Sequence, residues 1–356
     1  MRKMEAALLG ATGIVGQQFA ALLAEHPWFT LTRLAASERS AGRRYGDLPW
    51  RLATAPHPSI ADLPVSHVQP GAGPRLVFSA LDASVAGEVE LAYARAGHVV
   101  VSNARNHRMD PLVPLLVPEI NHGHLALLPR QQQTRRWPGA ILTNPNCSTV
   151  FLALALAALR AFEPDRVLVS TLQALSGAGH PGVASLDAMG NVIPFIPGEE
   201  EKIETETKKI LGRLVPVCRG GSSDPPAIEP HPVAISAQTT RVPVAHGHTE
   251  LVSVGFRRRP EPADVLAALR DFSARPQHLR LPSAPAGPIV PLPESDRPQP
   301  RLDVERHGGM AVLLGRLRPC PVLDYKFVLL GHNTIRGAAG AALLNAELLL
   351  AEGLLN

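Results

Sequence analysis

MEAALLGATGIVGQQFAALLA, residues 4–24, decides the fold. Its first six residues read as a short buried strand. Gly10-Ala11-Thr12-Gly13-Ile14-Val15-Gly16 follows at once. An amphipathic helix comes next, with Val15, Phe19, Leu22 and Leu23 on one face. Glycines spaced G-x-x-G-x-x-G between a strand and a helix form a phosphate-binding turn. They let the backbone approach a pyrophosphate, while the helix start offers N–H donors and a positive dipole end. Gly10, Thr12, Gly13, Ile14, Val15 and Gly16 are therefore the first candidates for holding a dinucleotide.

The flanking sequence extends this unit. Leu31–Ala36, Leu76–Ser79 and His98–Val101 are short apolar strands, and Ala86–Ala96 is helical in character. Alternating strand and helix imply a parallel α/β sheet. The second strand runs into Ser37-Glu38-Arg39-Ser40-Ala41-Gly42-Arg43-Arg44. An NAD site wants an acid at that strand end for the ribose hydroxyls, whereas hydroxyls and arginines suit a 2′-phosphate. Glu38 complicates the choice, but Ser37, Arg39, Ser40 and Arg43 favour NADP(H) as cofactor.

From Leu142 the pattern changes. Asn144-Pro145-Asn146-Cys147-Ser148-Thr149 is a turn-rich hexapeptide that opens a long helix, Thr149–Phe162. Strands at Val167–Gln173, Val233–Arg241, Glu250–Phe256 and Val312–Leu317 suggest a second, mixed sheet. Eight prolines between 275 and 303 predict a long extended loop. Gly337–Leu355 reads as a helix. The expected architecture is α/β. A Rossmann-type dinucleotide-binding domain takes residues 1–148 plus 330–356, and an α+β substrate and dimerisation domain with a mixed sheet takes 149–329.

Composition agrees. The chain's 356 residues suit two domains, and its 45% hydrophobic share is ample for packed cores. Cysteines at 147, 218 and 320 make neither a disulfide scaffold nor a CxxC metal pair, and no metal is expected. The net charge of +4 is mild, and no basic-aromatic stripe points to nucleic acid. The N-terminus lacks the pattern of a signal peptide, and the longest apolar stretch, Val150–Leu159, is far short of the ~20 residues a membrane span needs. The expectation is a soluble cytoplasmic protein with reduced thiols and no membrane partner.

Cys147 stands at the start of a predicted helix, where unpaired N–H groups and the dipole would lower a thiol pKa. Cys218 and Cys320 lack this context and read as structural. A thiol nucleophile beside a dinucleotide site suggests attack on an acyl or aldehyde carbonyl, with hydride exchange and a thioester. A base is then needed, and Arg241-Val-Pro-Val-Ala-His246-Gly-His248-Thr-Glu250 offers two histidines between predicted strands. The residues alone do not choose between them.

These motifs resemble the aspartate-semialdehyde dehydrogenase family, in the branch found in archaea and fungi. The resemblance runs nearly end to end: the glycine turn, ASERSAGRRYGD at 36–47, SNARNHRMDPLVPLLVPEIN at 102–121, TNPNCSTV at 143–150 and TLQALSGAGHPGV at 171–183. NVIPFIPGEEEKIETETKKILG at 191–212, RVPVAHGHTE at 241–250, QPRLD at 299–303 and GHNTIRGAAG at 331–340 continue it.

The resemblance implies NADPH-dependent reductive dephosphorylation of aspartyl phosphate to aspartate semialdehyde, a step in lysine, threonine and methionine biosynthesis. It implies Cys147 as the acyl-carrying nucleophile, His248 as general acid/base and Gln173 as the residue orienting the acyl-enzyme. Arg241 would pair with the substrate carboxylate and Glu200 with its amino group. Lys202 and Arg108, with Asn146 nearby, would bind phosphate. Asn333 would meet the nicotinamide end of the cofactor, beside Ser176 and Gly177 of the glycine-rich loop. Glu204, Glu206 and Lys208 read as an exposed helix face, and Gln131–Arg136 as a surface loop. A homodimer or homotetramer is expected. The rival readings are a malonyl-CoA or succinyl-CoA type reductase on the same scaffold, an N-acetyl-glutamyl-phosphate reductase, and a non-catalytic NADP-binding sensor.

Overall fold

The computed structural model describes residues 3–219 and 222–355. Strands β1 (Met4–Leu9), β2 (Phe29–Ala36), β3 (Val65–His67), β4 (Leu76–Ser79), β5 (Val99–Ser102) and β6 (Ala140–Thr143) form one sheet in the order β3-β2-β1-β4-β5-β6. Every pair in it is parallel. Strand order reverses between β1 and β4, so a crevice opens beyond their carboxyl ends, and the Gly10 turn lies there. Helix α1 (Ile14–Ala24) and the C-terminal α7 (Gly340–Ala351) cover one face, where Leu8, Phe19, Phe78, Leu344 and Leu348 share a core. Helix α2 (Ala83–Arg95) brings Tyr93 and Ala94 to the other face, against Leu9, Val77 and Val100.

The second sheet joins β7 (Pro164–Gln173), β10 (Ala234–Arg241), β11 (His248–Phe256), β12 (Ile289–Pro291), β13 (Val312–Pro319) and β14 (Tyr325–Gly331) in the order β10-β7-β11-β14-β13-β12. It is mixed: β7 runs parallel to β10 and antiparallel to β11. A separate hairpin pairs β8 (Arg213–Arg219) with β9 (Ser222–Glu229). Helix α4 (Cys147–Ala158) lies on one face, with Ser148–Leu156 all buried. Its Phe151 and Leu154 pack with Val169, Val252, Val254 and Leu329. Helix α5 (Glu199–Ile210) docks along β10, and α6 (Pro262–Arg270) adds Val265 and Leu269 to the core. The opposite sheet face keeps Leu168 and Leu251 49% and 46% exposed.

Several elements differ from expectation. α4 begins at Cys147 rather than Thr149, because Asn146 takes the cap position two residues earlier than expected. His248 is the first residue of β11, not part of a connection between strands. The proline-rich segment contains the edge strand β12 and single-turn helices at Arg275–His278 and Pro300–Asp303, each opening where proline's missing N–H is harmless. Gln131 is not on a surface loop. It sits in α3 (Leu127–Arg135), fully buried, and bonds both the N–H and the C=O of Ile141. The Cys218 side chain lies outside the described residues.

Candidate active site

A cleft of about 680 Å³ runs from the glycine turn to Cys147. Of the expected cofactor residues, Gly10, Thr12, Gly13, Ile14, Val15, Ser37, Ser176, Gly177 and Asn333 line it. Gly16, Arg39, Ser40 and Arg43 do not. Gly16 is buried in the α1–β1 packing, where a Cβ would fall 2.1 Å from the Gly10 carbonyl oxygen. Gly10 has φ +74°, and a Cβ there would meet the Ala80 oxygen at 2.5 Å. Helix α1 starts without a side-chain cap and without an acid in its first turn. Its amide end therefore remains open to an anion at the cleft. Arg39 and Arg43 are exposed in the segment after β2, beyond Ser37. This cradle fits a dinucleotide, and Ser37 is the residue after β2 that reaches it.

Cys147 stands at the opposite end of the cleft as the first residue of α4. The Asn146 carbonyl oxygen Oδ1 accepts the Ser148 and Thr149 amides at 3.0 and 3.2 Å, which caps the helix. Gly337 packs directly against the nucleophile, for a Cβ there would lie 2.5 Å from Cys147 Cβ. The expectation of a depressed thiol pKa is not met. Burial and the negative charge of Glu199 push the thiol up to about 12, against the opposing pull of Arg108 and Arg241. The Ser148 amide at the helix start also favours the thiolate, but burial and Glu199 outweigh it.

His248 is fully buried, and its Nδ1 accepts the Ala174 amide at 3.0 Å. Nε2 has no hydrogen-bond partner among the described residues. Burial and the charge of Arg241 pull this imidazole down to about 3. Arg241 donates to the Ala174 carbonyl at 2.8 Å, so one backbone residue orients both side chains. Gly177 covers them: a Cβ at this position would approach Arg241 Nη1 at 2.9 Å and His248 Cε1 at 3.0 Å. Asn333 ties the neighbouring loops together, accepting the Gly247 amide at 2.9 Å and donating to Ser176 Oγ at 2.8 Å. His246, the alternative histidine, is exposed, bonds Ser176 Oγ and stacks on His332.

Helix α5 supplies the remaining charges. Glu199, Lys202, Glu206 and Lys209 recur at i, i+3, i+7 and i+10, which places them on one side of the helix. Glu199 accepts from Lys202 at 2.8 Å, Asn146 Nδ2 at 2.6 Å and Gln173 Nε2 at 3.1 Å. Burial works against its ionisation, but these partners outweigh burial and hold its carboxyl below the usual range. Glu199 and Lys202 line the cleft with Arg108, Asn146 and Cys147. Gln173 stands behind Glu199 and is 1% exposed.

Glu200, expected at the substrate, is turned away from it. Its carboxylate accepts the Thr239 amide at 3.0 Å, and Glu204 accepts the Ala237 amide at 3.0 Å. One helical turn matches two strand residues in length, so these acids cap the free N–H groups of edge strand β10. Glu206, expected on the exposed face, is buried against Arg108 and the Asn146 backbone. Sequence reading missed Glu199 and Glu206. The signal available was the spacing from Lys202, which selects Glu199 rather than Glu200 as its neighbour on the helix surface.

Comparison with known proteins is consistent throughout the chain. Residues 5–128 match the family described as "Semialdehyde dehydrogenase, NAD binding domain", and residues 156–336 match "Semialdehyde dehydrogenase, dimerisation domain". The chain is 48% identical to an aspartate-semialdehyde dehydrogenase from Cryptococcus neoformans, over 99% of this chain and 98% of that one. It is 47% identical to one from Methanothermobacter thermautotrophicus, over 96% and 97%. Its fold is similar to the crystal structure of aspartate semialdehyde dehydrogenase with NADP from Candida albicans, with TM-score 0.89, 41% identity and 99% of each chain covered.

Proposed function

The chain belongs to the aspartate-semialdehyde dehydrogenase family, and from that premise we infer that it catalyses NADPH-dependent reductive dephosphorylation of L-4-aspartyl phosphate to L-aspartate 4-semialdehyde. The observation that carries the reading is one cleft in which a dinucleotide cradle ends at a helix-initiating cysteine, flanked by Arg108, Glu199 and Lys202.

Our assignment of roles is as follows. Cys147 Sγ attacks the acyl carbon. A C–S bond forms, the C–O bond to phosphate breaks, and phosphate leaves with that bond's electron pair and takes up the thiol proton. Arg108 and Lys202 hold that phosphate, Arg108 as a planar fork and Lys202 as a point charge. Arg241 receives the substrate's α-carboxylate. Glu199, rather than Glu200, receives its ammonium group, because Glu199 lines the cleft beside Cys147 and Glu200 does not. Gln173 and Asn146 act through Glu199 and the helix cap, holding the acyl carbon near Sγ. The Gly10–Gly16 turn, Ser176, Gly177, Asn333 and the Ser37–Arg43 segment would hold NADPH, which when bound would supply the hydride that reduces the thioester carbonyl. His248 Nε2–H donates to the oxygen on which negative charge develops. The oxyanion then re-forms the C=O bond, the C–S bond breaks, and Cys147 leaves as a thiolate that takes a proton from solvent.

Two separate sheets support a division into two domains, although Leu330 and Gly331 pair within the second sheet. We assign residues 1–148 plus 330–356 to the cofactor domain and 149–329 to the catalytic and dimerisation domain. The open face of the second sheet, bearing Leu168 and Leu251, is assigned to a second copy in a homodimer or homotetramer. No helix among the described residues is long and apolar enough to cross a membrane. Placement in the cytoplasm suits a mechanism that needs a reduced thiol.

The test is NADP reduction followed at 340 nm in the reverse direction. Aspartate semialdehyde with phosphate should give NADPH. Malonate semialdehyde with CoA should not, and activity with that pair alone would move the enzyme to acyl-CoA chemistry.

A further inference from the structure

We propose that Glu206 is a positioning residue that joins the phosphate-holding arginine to the helix carrying the nucleophile. This rests on the assignment of Arg108 to phosphate made above. Glu206 is 2% exposed, and each of its oxygens takes one donor. Oε1 accepts from Arg108 Nη1 at 3.0 Å, and Oε2 accepts the Asn146 backbone amide at 2.7 Å. Asn146 immediately precedes Cys147 and caps its helix. One carboxylate thus spans the site where phosphate departs and the backbone that aims the thiol.

The donor count makes the carboxylate specific. Both partners are donors, so both oxygens must accept. Glutamine has the same shape but one acceptor and one donor, and it must lose one bond and face an N–H with an N–H. Arg108 is held in two directions: Nη1 goes to Glu206, and Nη2 donates to the Asn103 carbonyl at 2.7 Å. Its Nε has no acceptor among the described residues, although the residue lines the cleft. With Glu206 neutral, the guanidinium keeps one anchor and loses its planar orientation toward phosphate.

The loop bearing Arg108 has a separate support. Lys209 Nζ donates to the carbonyls of Arg108, Asp110 and Val113 at 2.6, 2.8 and 3.0 Å. Lys209 therefore holds the loop backbone, and Glu206 holds the arginine side chain. Changing Glu206 should disturb phosphate recognition without releasing the loop.

Steady-state kinetics of the reverse reaction test this with inorganic phosphate, aspartate semialdehyde and NADP. Glu206→Gln should raise the phosphate KM about tenfold or more, while the semialdehyde KM stays within about twofold. Glu206→Asp, which restores charge at shorter reach, should recover part of the loss. In a cycle with Arg108→Ala, the double variant should show the phosphate KM of Arg108→Ala alone. A folded Glu206→Gln with wild-type phosphate KM, an equal rise in both KM values, or additivity with Arg108→Ala overturns the proposal. If Glu206→Gln does not fold, Glu206→Asp carries the same comparison: a selective rise in phosphate KM supports the proposal and an unchanged value overturns it. If Arg108→Ala itself leaves the phosphate KM unchanged, the assignment of Arg108 has failed and this proposal falls with it.

Discussion

The Ala174 amide donates to Nδ1 of His248 at 3.0 Å, and this bond assigns the tautomer of the imidazole. Nδ1 must present its lone pair, so the proton sits on Nε2, the nitrogen without a partner among the described residues. A second proton on Nδ1 would confront the amide N–H. Burial and Arg241 oppose it further and pull the ring down to about 3. His248 therefore rests as a neutral donor, suited to an oxygen that gains negative charge.

The ring should accordingly stay neutral in the free enzyme from about pH 8 to about pH 5, read from imidazole nitrogen shifts by NMR. In linkage terms the folded-state value lies below the unfolded one. Stability from this group is fully present above about pH 6.5 and is lost as pH falls toward 3. His248→Gln should lower kcat about 10²- to 10³-fold, the cost of one oxyanion donor. A His248 signal titrating with a midpoint near 6.5 would contradict the assignment.

Cys147 should behave as an unactivated thiol until substrate binds. With its pKa pushed up to about 12, the thiolate fraction rises about tenfold per pH unit throughout the neutral range. Iodoacetamide alkylation should follow that slope from about pH 7 to 9 without a plateau. Glu199→Gln removes the negative charge that opposes thiolate formation, so alkylation at fixed pH should quicken while turnover falls. Slower alkylation in that variant would refute the electrostatic account. Cys147→Ala should abolish turnover and leave NADP binding intact.

Glu199 and Glu200 are neighbours in sequence with different tasks. Glu200→Ala should leave the semialdehyde KM within about twofold and cost about 1 kcal/mol of stability, through one lost charge-assisted bond to the Thr239 amide. Glu204→Ala should do the same at Ala237. Glu199→Ala should raise the semialdehyde KM at least tenfold. Kinetics and thermal unfolding of the three variants separate the roles, and a KM effect at Glu200 equal to that at Glu199 would restore the sequence-based choice.

This pair also shows where sequence reading stops. The glycine turn was legible, and the helix start beside Cys147 was placed to within two residues, because each is a local arrangement. The phase of α5 was not, since it is set by docking on β10, whose Thr239 lies 39 positions from Glu200. Glu206 read as solvated because the helix is densely charged. What buries it is Arg108, 98 positions away in sequence. Strand β14 was missed, and β11 was placed two residues short of its start at His248.

The second sheet's open face gives a prediction about assembly. Leu168 and Leu251 stand among Ser170, Ser253, Arg316, Arg318 and Lys326. Exposed leucines beside polar and basic side chains give this face the mixed composition of an interface. Leu251→Arg adds charge to a face that is already basic, and should shift the oligomer to a smaller species by light scattering. The cofactor should still bind, since the cleft lies elsewhere. An unchanged mass would place the interface on another surface.

Glu250 is the least expected group near the site. It is fully buried in β11, two residues from His248, and neither of its oxygens has a partner among the described residues. Its strand neighbours in register are Thr171 and Leu329. Burial raises its pKa well above the ordinary carboxylate value, so the folded state keeps the proton. The unfolded chain releases that proton above about pH 4.5. In that range the native state binds more protons than the unfolded state, and stability declines as pH rises. Glu250→Gln preserves shape and removes the linkage. Its Tm should exceed the wild-type value at pH 8, and the difference should shrink toward pH 5. A Tm difference independent of pH between about 5 and 8 would overturn the assignment of a protonated Glu250.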